Sequence, residues 1–105
     1  MTHRADLISE VPIEPGQRII RKLFSASGAR AMMLALDTGQ GLTEHRAPVP
    51  ILVQALDGTA LFTAEGREVE LRPGGIVHLD ANVPHAVIAT EPSHVLLMLL
   101  LSAAE

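Results

Sequence analysis

Five histidines carry most of the chemistry that this 105-residue sequence offers: His3, His45, His78, His85 and His94. A histidine titrates near neutral pH, so one held in a pocket can act as a general base. Its neutral ring can also ligate a metal ion. No cysteine is present, which excludes disulfide scaffolds, thiol catalysis and cysteine-based zinc sites. His3 lies in the N-terminal stretch and reads as solvated. His94 opens an apolar run and reads as a structural histidine. His45 and His85 stand apart, because each ends a strand beside turn residues, in Gly41-Leu42-Thr43-Glu44-His45 and Asn82-Val83-Pro84-His85. Such positions put a side chain at the mouth or wall of a barrel.

Two imidazoles make a short ligand list. Zinc sites use three or four protein ligands, and non-haem iron typically takes two histidines and a carboxylate. Glu44 adjoins His45, but neighbouring strand residues point to opposite faces. It reaches the same side only through a β-bulge. Gln54 offers a weak amide oxygen. His78 lies seven residues before His85, and the Asp80–Pro84 turn breaks the parity count between them. The favoured expectation is therefore a metal-free pocket in which His45 and His85 act through hydrogen bonds. The alternative is one divalent ion (iron, manganese, nickel or zinc) held by His45 and His85. A metal-free general base would need an orienting carboxylate, and spacing fixes none beside either ring.

Leu36-Asp37-Thr38-Gly39 contains the Asp-Thr-Gly of retroviral-type aspartic proteases, but Asp and Gly are also common turn formers. The later glycine that such proteases need is missing from Ile76-Val77-His78-Leu79. The turn reading is preferred. No Gly-x-Ser-x-Gly elbow, phosphate loop or His-Glu-x-x-His is present.

The elements that must position these side chains are short. Residues 1–16 carry Pro12, Pro15 and Gly16 and read as an N-terminal arm, with a helical turn at Asp6–Glu10. From Gln17 to the end the chain reads as one domain, 17–105. Apolar runs at 18–24, 29–36, 51–56, 59–64, 67–72, 76–79, 85–89 and 94–101 alternate with turn clusters. Asp57-Gly58 and Glu65-Gly66 between such runs are strong hairpin signals. Eight short strands without a long amphipathic helix predict an all-β sandwich or barrel.

Twelve acidic against eight basic residues give a net charge of -4. With no Lys/Arg cluster, a nucleic-acid partner is not expected. The longest apolar run, Val95–Leu101, is far short of the roughly 20 residues of a membrane helix. The start of the chain lacks a signal-peptide pattern, and a cytoplasmic protein is expected. The last strand is apolar on both faces: His94, Leu96, Met98 and Leu100 on one, Val95, Leu97, Leu99 and Leu101 on the other. One face needs cover, from the arm or from a second copy, and a homodimer is the preferred expectation.

The stretch from Gly41 to Val87 resembles a small single-domain cupin, and the likeness extends over about residues 30–101. The family's first motif falls on Gly39 or Gly41, His45, Ala47, Ile51 and Gly58. The second falls on Gly74, Asp80, Asn82 and His85. The resemblance implies a cupin-like jelly roll, a double-stranded β-helix of two antiparallel sheets. It also implies a metal held by two histidines and a glutamate of the first motif and the histidine of the second. Here Ala47 and Ile51 occupy two of those four positions. The implied function is binding of a small-molecule ligand in the barrel, with no reaction assigned. The alternative is a metal-dependent enzyme, an oxygenase or isomerase, with a reduced ligand set. The expected pocket residues are His45, His85, Gln54, His78, Phe62 and Met98, with Met33 as a further wall candidate.

Overall fold

The computed structural model describes residues 1–101. The last four residues of the expected 17–105 domain lie outside the described residues. A helical turn, α1 (Leu7–Glu10), is followed by nine strands: β1 (Arg18–Ala26), β2 (Ala29–Leu36), β3 (Gly41–His45), β4 (Ile51–Asp57), β5 (Ala60–Ala64), β6 (Arg67–Leu71), β7 (Ile76–Leu79), β8 (His85–Ala89) and β9 (Ser93–Leu100). They form a five-stranded sheet, β1-β2-β9-β4-β7, and a four-stranded sheet, β3-β8-β5-β6. All the pairings are antiparallel, and the two sheets stack as a jelly roll.

Turn chemistry explains which runs become hairpins. At Ser27-Gly28 and Glu65-Gly66 both loop residues have positive φ, between 51° and 77°. That is the two-residue turn whose twist matches antiparallel strands, and it joins β1 to β2 and β5 to β6. The hairpin expected at Asp57-Gly58 does not form. β4 and β5 belong to different sheets, and this dipeptide is the crossover between them. Gly58, at φ 71°, passes so close to Pro92 and Ser93 that a Cβ would sit 2.2 Å from the Ser93 hydroxyl oxygen. Closeness of backbone, and not strand reversal, is what requires glycine there. β3, where the sequence put His45 at a strand end, is missing from the eight apolar runs because Gly41, Thr43 and Glu44 interrupt its apolar pattern.

Strand alternation sorts the apolar residues into two cores. Leu34, Leu36, Ile51, Val53, Phe62, Leu79, Val87 and Val95 fill the space between the sheets. Each such side chain, fully removed from water, contributes roughly 1.5–3 kcal/mol. The opposite face of the five-stranded sheet carries a second cluster of Leu23, Ala31, Met33 and Ala35, with Leu96 and Met98 against it. Leu7, Val11 and Ile13 of the arm cover this face, and Val11 is fully buried. The apolar outer face of the last strand is thus covered, at least in part, by the chain's own arm.

His94 fastens that arm. It is buried, with Nδ1 3.0 Å from the Asp57 carboxylate and Nε2 2.7 Å from the Val11 carbonyl. The backbone N–H of residue 94 also donates to Asp57. Asp37 has a similar tethering role. Its carboxylate accepts from the backbone N–H groups of Gly16 and Thr38, which holds its pKa below the ordinary carboxylate value. Asp37-Thr38-Gly39 is a turn, as preferred.

Candidate functional site

β3 and β8 bring the two site histidines together. Regular pairing runs Gly41 to Ile88 and Leu42 to Val87, then slips by one residue so that His45 pairs with His85. The bulge decides the chemistry of the site. Without the extra residue, Glu44 would face His85 from the inner side of β3. With it, His45 takes the inner side and Glu44 the outer one, where it borders the rim groove that Thr63, Glu68, Pro84 and Arg67 also line.

The two ring centroids lie 4.3 Å apart at 61°. Phe62 stacks on the other side of His85, with centroids 5.7 Å apart and planes at 19°. His85 is 6% exposed, and His45 is exposed at the rim. Nδ1 of His45 lies 2.7 Å from the Thr43 carbonyl, and Nδ1 of His85 lies 2.8 Å from the Val83 carbonyl. A carbonyl only accepts, so this geometry assigns the proton to Nδ1 in both rings. Each Nε2 keeps a lone pair and makes no hydrogen bond within the described residues. Burial pushes the His85 pKa below 6.5, and the neighbouring His45 charge adds to that push. The hydrogen bond to Val83 opposes it.

The other expected pocket residues separate by strand parity. Phe62 shares the inter-sheet core and closes the site from below. Gln54, His78 and Met98 do not join it. On β4, Val53 and Ala55 face inward, so Gln54 faces outward, where its amide donates to the Gly74 carbonyl. On β7, Val77 and Leu79 pack on the core, and His78 between them is exposed. On β9, Leu97 and Leu99 pack inward, whereas Met98 joins the outer cluster under the arm. Met33 lies in the same outer cluster. The void enclosed by His45, His85, Phe62 and Leu34 is only about 10 Å³, room for no more than one water. The interior is packed, and any ligand must sit at the rim.

The donor set does not fit the metal that the cupin resemblance implies. Ile51 is buried in the core, and Ala47 packs against it while its carbonyl accepts from Asn82. Glu44 is turned away by the bulge. Among the described residues, no group of three or more His, Cys, Asp or Glu side chains converges on a point. Two neutral nitrogens fall short of the three protein ligands that such ions ordinarily need.

One residue at this rim escaped the sequence reading. Arg67 pairs with Ala64, and Ala64 pairs with His85 on the next strand. One inner row across the four-stranded sheet therefore reads His45, His85, Ala64, Arg67. Only register could reveal this, because the four residues are scattered over 41 positions of sequence, from His45 to His85.

The fold is widely shared among solved structures. A conserved protein of unknown function from Streptococcus pyogenes matches with a TM-score of 0.85 at 29% identity, over 95% of this chain and 88% of that one. A cupin superfamily protein from Desulfitobacterium hafniense matches with a TM-score of 0.86 at 18% identity, over 96% and 93%. An RmlC-like cupin from Desulfovibrio desulfuricans gives 0.84 at 16%, over 95% and 97%. The last two are likenesses of fold alone, and none of the three assigns a reaction. No curated protein matches the chain. No helix among the described residues is long and apolar enough to cross a membrane. The family model for the cupin domain matches residues 32–101, well over half of the sequence. With the jelly roll and the histidine placement already in view, the chain belongs to the cupin-domain family.

Proposed function

We propose that the chain is a small-molecule-binding cupin whose ligand sits at the rim of the barrel on His45 and His85. One observation carries this reading. Both rings spend Nδ1–H on a backbone carbonyl and leave Nε2 free on the same inner face. A pair of preoriented acceptors beside an apolar wall is how a binding site fixes the direction of a small polar ligand. The neutral state of His85 favours acceptance from a ligand O–H or N–H over capture of a bare anion at that ring.

The metal-dependent alternative, an oxygenase or isomerase, draws support from the same Nδ1–H to carbonyl bonds, which commonly orient metal-ligating histidines. Among the described residues it lacks a carboxylate and a third protein ligand. A homodimer belongs to our reading as well. What supports it is apolar surface left outside both cores, such as Ile20 at 47% exposed on edge strand β1. Sedimentation velocity at several concentrations tests it, and a single monomer species throughout would reject it.

The binding reading is tested by following the imidazole resonances of His45 and His85 during titration with a library of small hydroxylated and carboxylated compounds. Binding compounds should move both rings together, and His45→Ala should weaken them. If no compound moves either ring, the site reading fails.

A further inference from the structure

The inner row across the four-stranded sheet continues past the histidines to a cation. Arg67 lies on the same side of β6 as Leu71, which is buried in the core, so period-two alternation turns it inward. It lines a cavity of about 170 Å³ with Phe62, Ala64, Glu65, Val77 and His78, so His78, absent from the His45–His85 contact, borders the space beside Arg67. It also lines the open rim groove of about 550 Å³ that passes Val83 and Pro84, the residues just before His85, and that Glu44, Glu65 and Glu68 border as well, so Arg67 is the one cation facing an otherwise acidic groove among the described residues. Among the described residues it forms no ion pair and no side-chain hydrogen bond, although Glu65 and Glu68 are close in sequence. Glu68 alternates to the outer face. The residue between Arg67 and His85 in the row is Ala64, the smallest side chain that still covers the backbone. Two strand spacings separate Arg67 from His85, about 10 Å between backbones. The row thus presents a guanidinium at one end, two acceptor nitrogens at the other, and an open step over Ala64 with Phe62 below.

This arrangement selects a chemistry. A guanidinium offers paired N–H donors in the geometry of a carboxylate. The histidine Nε2 atoms ask for a donor. We propose that Arg67 is the anion anchor of the site, and that its ligand is a small carboxylate carrying a hydroxyl group, seated over Ala64. The proposal rests on the reading of His45 and His85 as ligand-facing and goes beyond it in naming the substrate class and a third binding residue. Arg67 holds the carboxylate, Ala64 leaves room for a short carbon chain, and the imidazoles accept from the hydroxyl.

The test uses the whole chain at pH 7.5 and matched probes: hydroxycarboxylates of three to six carbons and the corresponding primary amides. Binding is read from the His45 and His85 ring resonances. The acids should bind at least about tenfold more tightly than their amides, as expected for a charge-assisted contact. Arg67→Gln should remove that preference, and Arg67→Lys should restore part of it. Ala64→Leu should block acids and amides alike while the two histidine rings stay in contact. Arg67 is exposed, so thermal midpoints of the Arg67 variants should match the parent and separate binding from folding. Amides that move the rings as well as the acids do would overturn the anion anchor and leave the histidine site standing. So would acid binding untouched by Arg67→Gln. Absence of ring shifts with every probe would bring down the histidine site and this proposal with it.

Discussion

His45 and His85 face each other across β3 and β8 only because β3 carries one residue more than its partner between Leu42 and His45. The extra residue reverses the parity of the strand. It brings a second imidazole to 4.3 Å from the first and sends the Glu44 carboxylate to the other side. A site that could have paired a histidine with an acid pairs two histidines instead.

That reversal predicts a contrast between neighbours. Glu44→Ala should not weaken ligand binding at the histidines, and should keep stability within about 0.5 kcal/mol, as for other exposed positions. His45→Ala should weaken binding with a similarly small stability change, since the ring is exposed at the rim. Calorimetric titration and thermal melts of both variants check this. Equal loss of binding in the two would place Glu44 inside the site and refute the assigned parity.

His85 sets an acid limit on stability. Burial holds its folded pKa below the ordinary 6.5, so the unfolded chain takes up a proton first as pH falls. The stabilisation from the neutral ring is fully present above pH 6.5 and drains away between 6.5 and the lower folded value. The thermal midpoint should therefore decline below pH 6.5 more steeply in the parent than in His85→Gln. Parallel declines would assign the acid sensitivity to another group.

Metal affinity should be modest. Two neutral nitrogens can hold a divalent ion only with water completing its shell. Protein purified without an affinity tag should carry well under one metal ion per chain. A chelator should leave the melting curve unchanged. Stoichiometric iron, manganese, nickel or zinc that disappears in His45→Ala would favour the metal-dependent enzyme.

The arm depends on His94. Replacing it by alanine removes the contacts to Asp57 and Val11 and strands a buried carbonyl. A loss of about 2–4 kcal/mol is expected from that combination. Amide exchange should rise across Leu7–Ile13, because the side chains there lose their hold on Met33 and Ala35. Unchanged protection of the arm would mean that the apolar contacts alone retain it.

Much of this protein is legible from residue order. β-branched and apolar runs of four to eight residues, cut by Gly, Pro, Asp and Asn, already specify an all-β sandwich or barrel, because the pleat has a period of two and turns need special φ values. The two motif histidines, the helical turn at Asp6–Glu10 and the structural role of His94 could be read the same way. Alternation defines two faces of a strand but does not say which is inner. That choice came from packing, which sent Gln54, His78 and Met98 outward and kept Phe62 inside. Likewise Asp57-Gly58 looks like a hairpin turn in sequence, and only the partners chosen by β4 and β5 make it a corner between sheets. The bulge at β3 and the row that carries His45, His85, Ala64 and Arg67 exist only as registers between strands distant in sequence. Register is a property of the assembled sheet, so the tertiary structure alone could decide it.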